Sequence, residues 1–388
     1  MNRTAVIPYL KLLLVTVLYT CGTSMTLYTS AFIVSLGGTA EMAGRVIFVS
    51  ILPFLLLAVF SGHLSARFGS RWLIVTGALV HLLTRLAYTQ LTSASPWFFL
   101  LAFTSGLGHV LVFTPLFAAV GRALPARQRA AAFAYFSVAV QTGNTIGTFA
   151  GELIQQSLGY SAMYLASAAL VVFAGAAAFT LREDMIAPND LPTVPEGKRL
   201  AAIMPVAGGL VIVLLLGAVL GSALQFVPLF LINLYESGQV AKAIPLRSFL
   251  STALLSMVML RLVLFRLLSD AARHRLLVFC HTGIILTLLA IPLIRSIWSS
   301  VALAVAFGLS YGLLYPTMNA LVLNRTAEHW RGRVSGLLTL LFESGFRGFA
   351  LIAGTVSFYL GYAAMFYVLA AVYSLGLFFY WLLDRCRY

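Results

Sequence analysis

Glu343 and Arg347 lie inside a long apolar stretch and are the two side chains best placed to do chemistry. Charged groups are costly in an apolar medium, so an ionisable residue within such a stretch is a functional hypothesis by default. A spacing of four residues puts both on one helix face, with the acid first, which favours pairing. Two interpretations stand: a structural ion pair, or a proton-coupling switch in which substrate binds Arg347 and releases Glu343 to be protonated.

The elements that hold this pair must be membrane helices. The chain is 61% hydrophobic and only 9% charged, whereas soluble domains have about 25% charged residues. Folding alone cannot bury so much apolar surface, so lipid must cover it. Successive apolar runs, each near the ~20 residues that cross a bilayer core, predict an all-α membrane protein with twelve transmembrane helices. We number these predicted spans 1 to 12, near residues 8–34, 43–65, 72–92, 96–120, 130–156, 160–181, 202–234, 243–268, 275–294, 297–323, 333–358 and 361–383.

One long polar stretch divides the spans into six and six. Residues 182–200 contain three prolines and alternating charges, which is typical of a linker. The predicted organisation is an N-terminal six-helix bundle (1–181), a cytoplasmic linker (182–200) and a C-terminal six-helix bundle (201–388). The N-terminal apolar run continues to about Leu36 without a cleavage site, which indicates a retained first span rather than a signal peptide.

The basic residues set the orientation. Net charge is +14, but the Lys and Arg residues lie in short loops between apolar runs, which argues against nucleic acid as a partner. With the N-terminus inside, 18 of the 25 fall on the cytoplasmic side and 4 on the other. This asymmetry predicts a multi-pass protein of the cell inner membrane with both termini in the cytoplasm.

The two halves repeat at an offset of about 200 residues. Leu158 to Tyr164 matches Leu360 to Phe366, and Arg127 and Arg129 match Arg331 and Arg333. Two parallel six-span halves are a transporter architecture. In the first half, three glycines spaced four residues apart on span 5 indicate close helix packing: Gly143, Gly147 and Gly151.

At this point the sequence resembles the major facilitator superfamily, in general pattern its bacterial efflux branch. The signature between spans 2 and 3 is a Gly-x-Leu-x-Asp-Arg-x-Gly-x-Arg loop, matched here by Gly62, Leu64, Arg67, Gly69 and Arg71. Ala66 replaces the acid, while the second half keeps it as Asp270, followed by Arg273 and Arg275. The resemblance implies that these loop residues control conformation. Drug exporters carry an arginine early in span 4 and antiporters a Gly-Pro in span 5, and both features are missing here.

The resemblance also implies a central aqueous cavity bordered by the polar stripes of spans 5 and 11. We predict proton coupling at Glu343 and His109. The predicted substrate-binding residues are Arg347, Gln141, Asn144, Tyr28, Gln225, Tyr311, Tyr315, Asn319 and Arg261. For the tyrosines and amides, hydrogen bonds between helices are an equally good interpretation. For His109, a satisfied polar contact within the bundle is as good an interpretation as a proton relay. For Arg261, snorkelling is as good an interpretation as substrate binding in the cavity. His81 and Arg85 on span 3 are interpreted as packing or snorkelling residues at the bundle periphery.

The leading functional hypothesis is proton-coupled export of a small organic molecule by alternating access. Fixed cations outnumber fixed anions in the spans, which favours an anionic substrate. The alternative is proton symport that takes up a sugar or organic anion, and a third reading is a lipid or amphiphile carrier. We predict no enzyme activity, cofactor or metal, because no metal-ligand cluster, nucleophile motif or phosphate loop is present.

Overall fold

The computed structural model describes residues 3–57, 68–123, 129–181, 206–267, 270–327 and 330–385. Those residues form α-helices joined by short turns, and the all-α membrane fold is as predicted. The first half contains α1 (Arg3–Met25), α2 (Thr29–Ser35), α3 (Ala40–Val49), α4 (Leu52–Leu57), α5 (Ser70–Tyr88), α6 (Trp97–Ala123) and α7 (Arg129–Ala178). The second half contains α8 (Ala207–Glu236), α9 (Leu250–Leu267), α10 (Asp270–Ala290), α11 (Ile297–Asn324), α12 (Arg331–Gly348), α13 (Ala350–Leu360) and α14 (Tyr362–Arg385).

Ten segments of the described chain are long and apolar enough to cross a membrane. One of them, Tyr135–Ala178, contains a non-helical residue at Gly159 and is long enough for two crossings. Helix α5 carries two arginines and is not among the ten, although its length is near that of a span. Counting α5 and both parts of Tyr135–Ala178 makes the structure consistent with twelve spans.

The internal repeat is visible in the backbone as well as in the sequence. Gly159 has φ 83° and ψ 175°, and Gly361, 202 positions later, has φ 86° and ψ 161°. Both values lie in a region that is almost restricted to glycine. The matching segments that begin at Leu158 and Leu360 therefore share a helix break at the same place.

The described helices group into two compact units. Unit 1 consists of residues 1–38 and 49–190, and unit 2 of residues 39–48 and 191–388. The core of unit 1 is apolar and includes Leu12, Ile74, Leu116 and Val171, from four different helices. The predicted boundaries at 181 and 201 stay predictions, because the stretch around the linker lies outside the described residues.

Glycines allow close helix contacts in each unit. In unit 1, Cβ atoms at Gly143 and Gly147 would overlap Thr20 and Cys21 of α1, which confirms the close packing predicted for this stripe. In unit 2, a Cβ at Gly345 of α12 would overlap Leu214 of α8. These contacts pack α7 against α1 in unit 1 and α12 against α8 in unit 2.

Candidate functional site

An ion pair on α12 is the centre of the candidate site. Arg347 Nε donates to Glu343 Oε2 at 3.1 Å, and their side chains are 19% and 11% exposed. The pair has the i, i+4 geometry that the sequence predicts. We call these two residues the α12 ion pair.

A second cation comes from α9. The whole Arg261 residue is 6% exposed, and its Nε donates to the Gly312 carbonyl oxygen at 3.1 Å. Tyr311 and Tyr315 of α11 are both within electrostatic reach of the guanidinium. Arg261 is therefore buried among α11 residues, which disfavours the snorkelling interpretation.

Tyr315 connects this arginine to the α12 ion pair. Its ring lies 4.6 Å from that of Phe342 of α12, and its hydroxyl group hydrogen-bonds with Asn319. Both Glu343 and Arg261 act electrostatically on that hydroxyl group. Six predicted site residues thus come together within unit 2, and we call them the unit 2 polar cluster: Arg261, Tyr311, Tyr315, Asn319, Glu343 and Arg347.

One buried atom of this cluster has no hydrogen-bond partner among the residues that the structure describes. Asn319 Oδ1 is buried and accepts no hydrogen bond from any residue that the structure describes, with the amide oriented as assigned. A buried acceptor without a donor is costly. A ligand that donates a hydrogen bond would satisfy it.

Other predicted substrate residues have structural hydrogen bonds. Tyr311 donates to the Leu216 carbonyl at 3.0 Å, and Gln225 Nε2 donates to the Phe346 carbonyl at 3.1 Å, joining α8 to α11 and α12. Tyr28 donates to the Thr148 carbonyl at 2.9 Å. These bonds match the interhelical interpretation, and they leave the role of these residues in binding a prediction.

Gln141 and Asn144 lie together on α7 in unit 1. Asn144 Nδ2 donates to Gln141 Oε1 at 3.1 Å. Gln141 is buried, whereas Asn144 is partly exposed. Asn144 is therefore the member of this stripe that a solute reaches more easily.

A buried hydrogen-bond network occupies unit 1. Arg85 Nη1 lies 2.6 Å from His81 Nδ1, and His81 Nε2 lies 3.2 Å from the Tyr19 hydroxyl group. That hydroxyl group is 2.9 Å from His109 Nδ1. At the other end, Arg85 Nε donates to Ser167 Oγ at 2.5 Å. We call these five residues the Arg85 chain.

Most of this network is not predicted by the sequence. His81 and Arg85 stand four residues apart, and of their two predicted roles the buried contacts fit helix packing rather than snorkelling. In the structure each residue is 1% exposed. No sequence signal marks Tyr19 or Ser167, because each needs a partner far along the chain.

The predicted conformational loop is described only in part. Gly69 has φ 77° at the start of α5, and Arg71 Nη2 donates to the Leu181 carbonyl at 2.7 Å. Asp270 is the first residue of α10, and Arg275 on that helix is exposed. Four features lie outside the described part of the chain: Gly62, Arg67 and the side chains of Asp270 and Arg273.

Comparison with known proteins identifies the family. A sequence model described as Major Facilitator Superfamily matches residues 12–346. The chain belongs to the Major Facilitator Superfamily. A curated relative from Bacillus subtilis (strain 168), an uncharacterized MFS-type transporter named YhcA, is 30% identical over 133 residues. That match spans 32% of this chain and 25% of the relative.

Solved structures of transporters in this superfamily share the fold. A mutant of the nucleoside transporter NupG has a TM-score of 0.79 at 15% identity, covering 97% of this chain and 99% of that one. A bacterial homologue of the human lysosomal transporter Spinster has a TM-score of 0.76 at 10% identity, covering 99% and 98%. The human organic anion transporter MFSD10 has a TM-score of 0.64 at 15% identity, covering 98% of this chain and 99% of that one. The family and the apolar helices together make the chain a multi-pass membrane protein of a secondary-transporter superfamily.

Proposed function

We propose that this transporter moves a small organic anion together with a proton, and that the α12 ion pair couples the two. The observation that carries this proposal is the hydrogen-bonded pair itself, Glu343 with Arg347, beside a second buried cation, Arg261. Two guanidinium groups and one carboxylate leave an excess of positive charge in the unit 2 polar cluster. A carboxylate or similar anion would balance it.

The ion pair makes anion binding and proton binding cooperative. An anion that binds Arg347 replaces Glu343 as its partner. Glu343 then loses the positive charge that stabilised its ionised form, so it binds a proton more readily. By linkage, a protonated Glu343 also releases Arg347 to the anion. Two ligands that favour each other's binding are carried together.

This logic supports proton symport and therefore uptake, since protons flow into the cell. Export, the leading hypothesis from the sequence, needs the opposite relation, in which proton and substrate exclude each other. Its support is the general similarity to the efflux branch, and it remains the second candidate. We place both termini in the cytoplasm and the protein in the inner membrane, from the distribution of Lys and Arg.

His109 is a second candidate proton site, in unit 1. Its ring is stacked on Phe113 at 5.1 Å, and its Nδ1 contacts the Tyr19 hydroxyl group. Histidine is the side chain whose charge ordinarily changes between pH 5 and 8, which is why His109 is the second candidate.

A ligand screen comes first. Purified protein is heated with a panel of aromatic and aliphatic carboxylates, and the matching alcohols and alkylammonium ions are the controls. A compound that binds only the folded state raises the melting temperature. We expect stabilisation by carboxylates that is lost in Arg347→Gln. Stabilisation by long-chain amphiphiles regardless of charge would instead favour a lipid carrier.

Transport in liposomes tests the coupling. With a stabilising carboxylate, symport predicts accumulation when the lumen is alkaline, whereas antiport predicts accumulation when the lumen is acidic. We expect Glu343→Gln to reduce gradient-driven accumulation at least tenfold while exchange without a gradient persists. Glu152→Gln is the matched control, since Glu152 is a buried acid of unit 1 that accepts from Gln156. Full accumulation by Glu343→Gln would refute the coupling role.

A further inference from the structure

The Arg85 chain has a fixed direction. A guanidinium group has only donors, so His81 Nδ1 must accept the 2.6 Å bond from Arg85 Nη1. A neutral imidazole with Nδ1 as acceptor carries its proton on Nε2, and this N–H donates to the Tyr19 oxygen. Tyr19 then uses its own O–H to donate to His109 Nδ1. His109 Nδ1 is an acceptor, and its proton is on Nε2.

We propose that Arg85 is a positioning residue that holds His109 in this one tautomer, so that His109 takes up a proton only when its bond to Tyr19 opens. A second proton on His109 would have to go to Nδ1. Two donors would then face each other, unless Tyr19 turned its O–H towards His81. His81 would in turn need its proton on Nδ1, against the Arg85 guanidinium.

Burial makes this arrangement hard to rearrange. Tyr19, His81 and Arg85 are 0%, 1% and 1% exposed. Ser167 accepts from Arg85 Nε and donates to the Gly22 carbonyl, both at 2.5 Å, which ties the guanidinium to α1 and α7. The His81 ring also lies so close to Gly108 of α6 that a Cβ there would have to push it aside.

Three uncharged residues lie against the His109 ring. Its ring faces Tyr19 on α1, Phe54 on α4 and Phe113 on α6 itself. The charge behind Tyr19 is that of Arg85 on α5, and Tyr88 and Tyr164 stack together at 4.8 Å beside it. Among the residues that the structure describes, no carboxylate pairs with Arg85.

The consequence is a link between proton uptake and helix packing inside unit 1. Tyr19 is on α1 and His109 is on α6, so the bond between them joins two helices. Breaking that bond frees Nδ1 for a proton, and a bound proton prevents the bond from forming again. The inference deepens the proposed role of His109, and it rests on the proposed function only for its effect on transport.

The tautomer is measured directly by solid-state ¹⁵N NMR. The protein is labelled with ¹⁵N-histidine, reconstituted in liposomes and compared with His109→Gln to assign the signals of that residue. We expect one neutral form at pH 7 and at pH 6, with Nε2 protonated and Nδ1 not. This measurement needs no destabilising variant.

Variants then test whether Arg85 and Tyr19 fix the tautomer of His109. Tyr19→Phe removes only the hydroxyl group, and Arg85→Met removes the donor. In both we expect a mixture of His109 tautomers and a cationic form at pH 6. Arg85→Lys keeps a donor and should restore the wild-type pattern. Tyr373→Phe is the matched control, because Tyr373 contacts His281 Nδ1 at 2.7 Å in unit 2, and it should leave His109 unchanged.

Two results would overturn the proposal. One is a wild-type His109 whose proton is on Nδ1, or whose cation is already abundant at pH 6. The other is an Arg85→Met protein that folds and keeps the wild-type signals. Neither readout involves transport, so failure of the symport proposal in the Glu343→Gln experiment would be recognised separately.

Discussion

The two units hold arginines in contrasting ways. In unit 1, Arg85 is held by neutral acceptors, His81 and Ser167. In unit 2, Arg347 is held by the carboxylate of Glu343. The helix contacts that surround them are similar, since each unit brings two helices together through glycine. The difference teaches that a repeated scaffold carries different polar chemistry in its two copies: a guanidinium group bonded to neutral acceptors in one and an ion pair in the other.

The largest effect should come from filling the glycine contacts that both units share. Gly147→Val and Gly345→Val place side-chain atoms where backbone of the neighbouring helix lies. We expect both to abolish recovery of folded protein from membranes, measured by size-exclusion chromatography in detergent. Gly336→Ala and Gly348→Ala are controls, because a Cβ at either position has open space. If only one of the two valine variants failed, the units would not share this contact.

The second-largest effect should come from breaking the α12 ion pair. Glu343→Ala removes the carboxylate that accepts from Arg347 and should cost about 2 kcal/mol, since it breaks a charge-assisted hydrogen bond in a mostly buried pair. Removing both residues should cost less than the two single changes added together. The free energy of unfolding, measured by reversible SDS titration, gives the coupling. Additive costs would mean that the pair does not interact.

An effect of similar size tests the repeat at the helix breaks. Gly159→Ala and Gly361→Ala force alanine into a glycine-only backbone conformation and should each cost about 2 kcal/mol. No other atoms crowd either position, so strain alone would account for the cost. The same SDS titration measures it. Unequal costs would show that the two breaks are not equivalent.

The smallest effect comes from two matched tyrosines. Tyr28→Phe and Tyr311→Phe each remove one hydroxyl donor to a backbone carbonyl, Thr148 in unit 1 and Leu216 in unit 2. Each should lose about 1 kcal/mol of stability. An unchanged KM would assign both to helix packing, whereas a raised KM in Tyr311→Phe alone would place that residue in the substrate site.

Hydropathy and repetition allow much of the fold to be predicted, because the lengths of membrane helices follow from bilayer thickness. The Glu343–Arg347 pair is predictable for a similar reason, since its partners are one helical turn apart. The burial of Arg85 is not, because its partner Ser167 is 82 residues away and no local pattern indicates such a distance. The same holds for the hydrogen bond of Tyr19 to His109, over 90 residues. Side-chain networks between helices depend on the packed structure, which the local sequence pattern does not contain.

Gly159 and Gly361 also affect how this protein is labelled and handled. Each joins two helical segments through a single non-helical residue, with no hydrophilic loop between them. Proteases and antibodies bind several accessible residues in an extended form. A single non-helical residue does not provide such a segment, so we expect neither to act at Gly159 or Gly361. Epitope tags or fluorescent reporters should be inserted instead in the longer turn at 237–245.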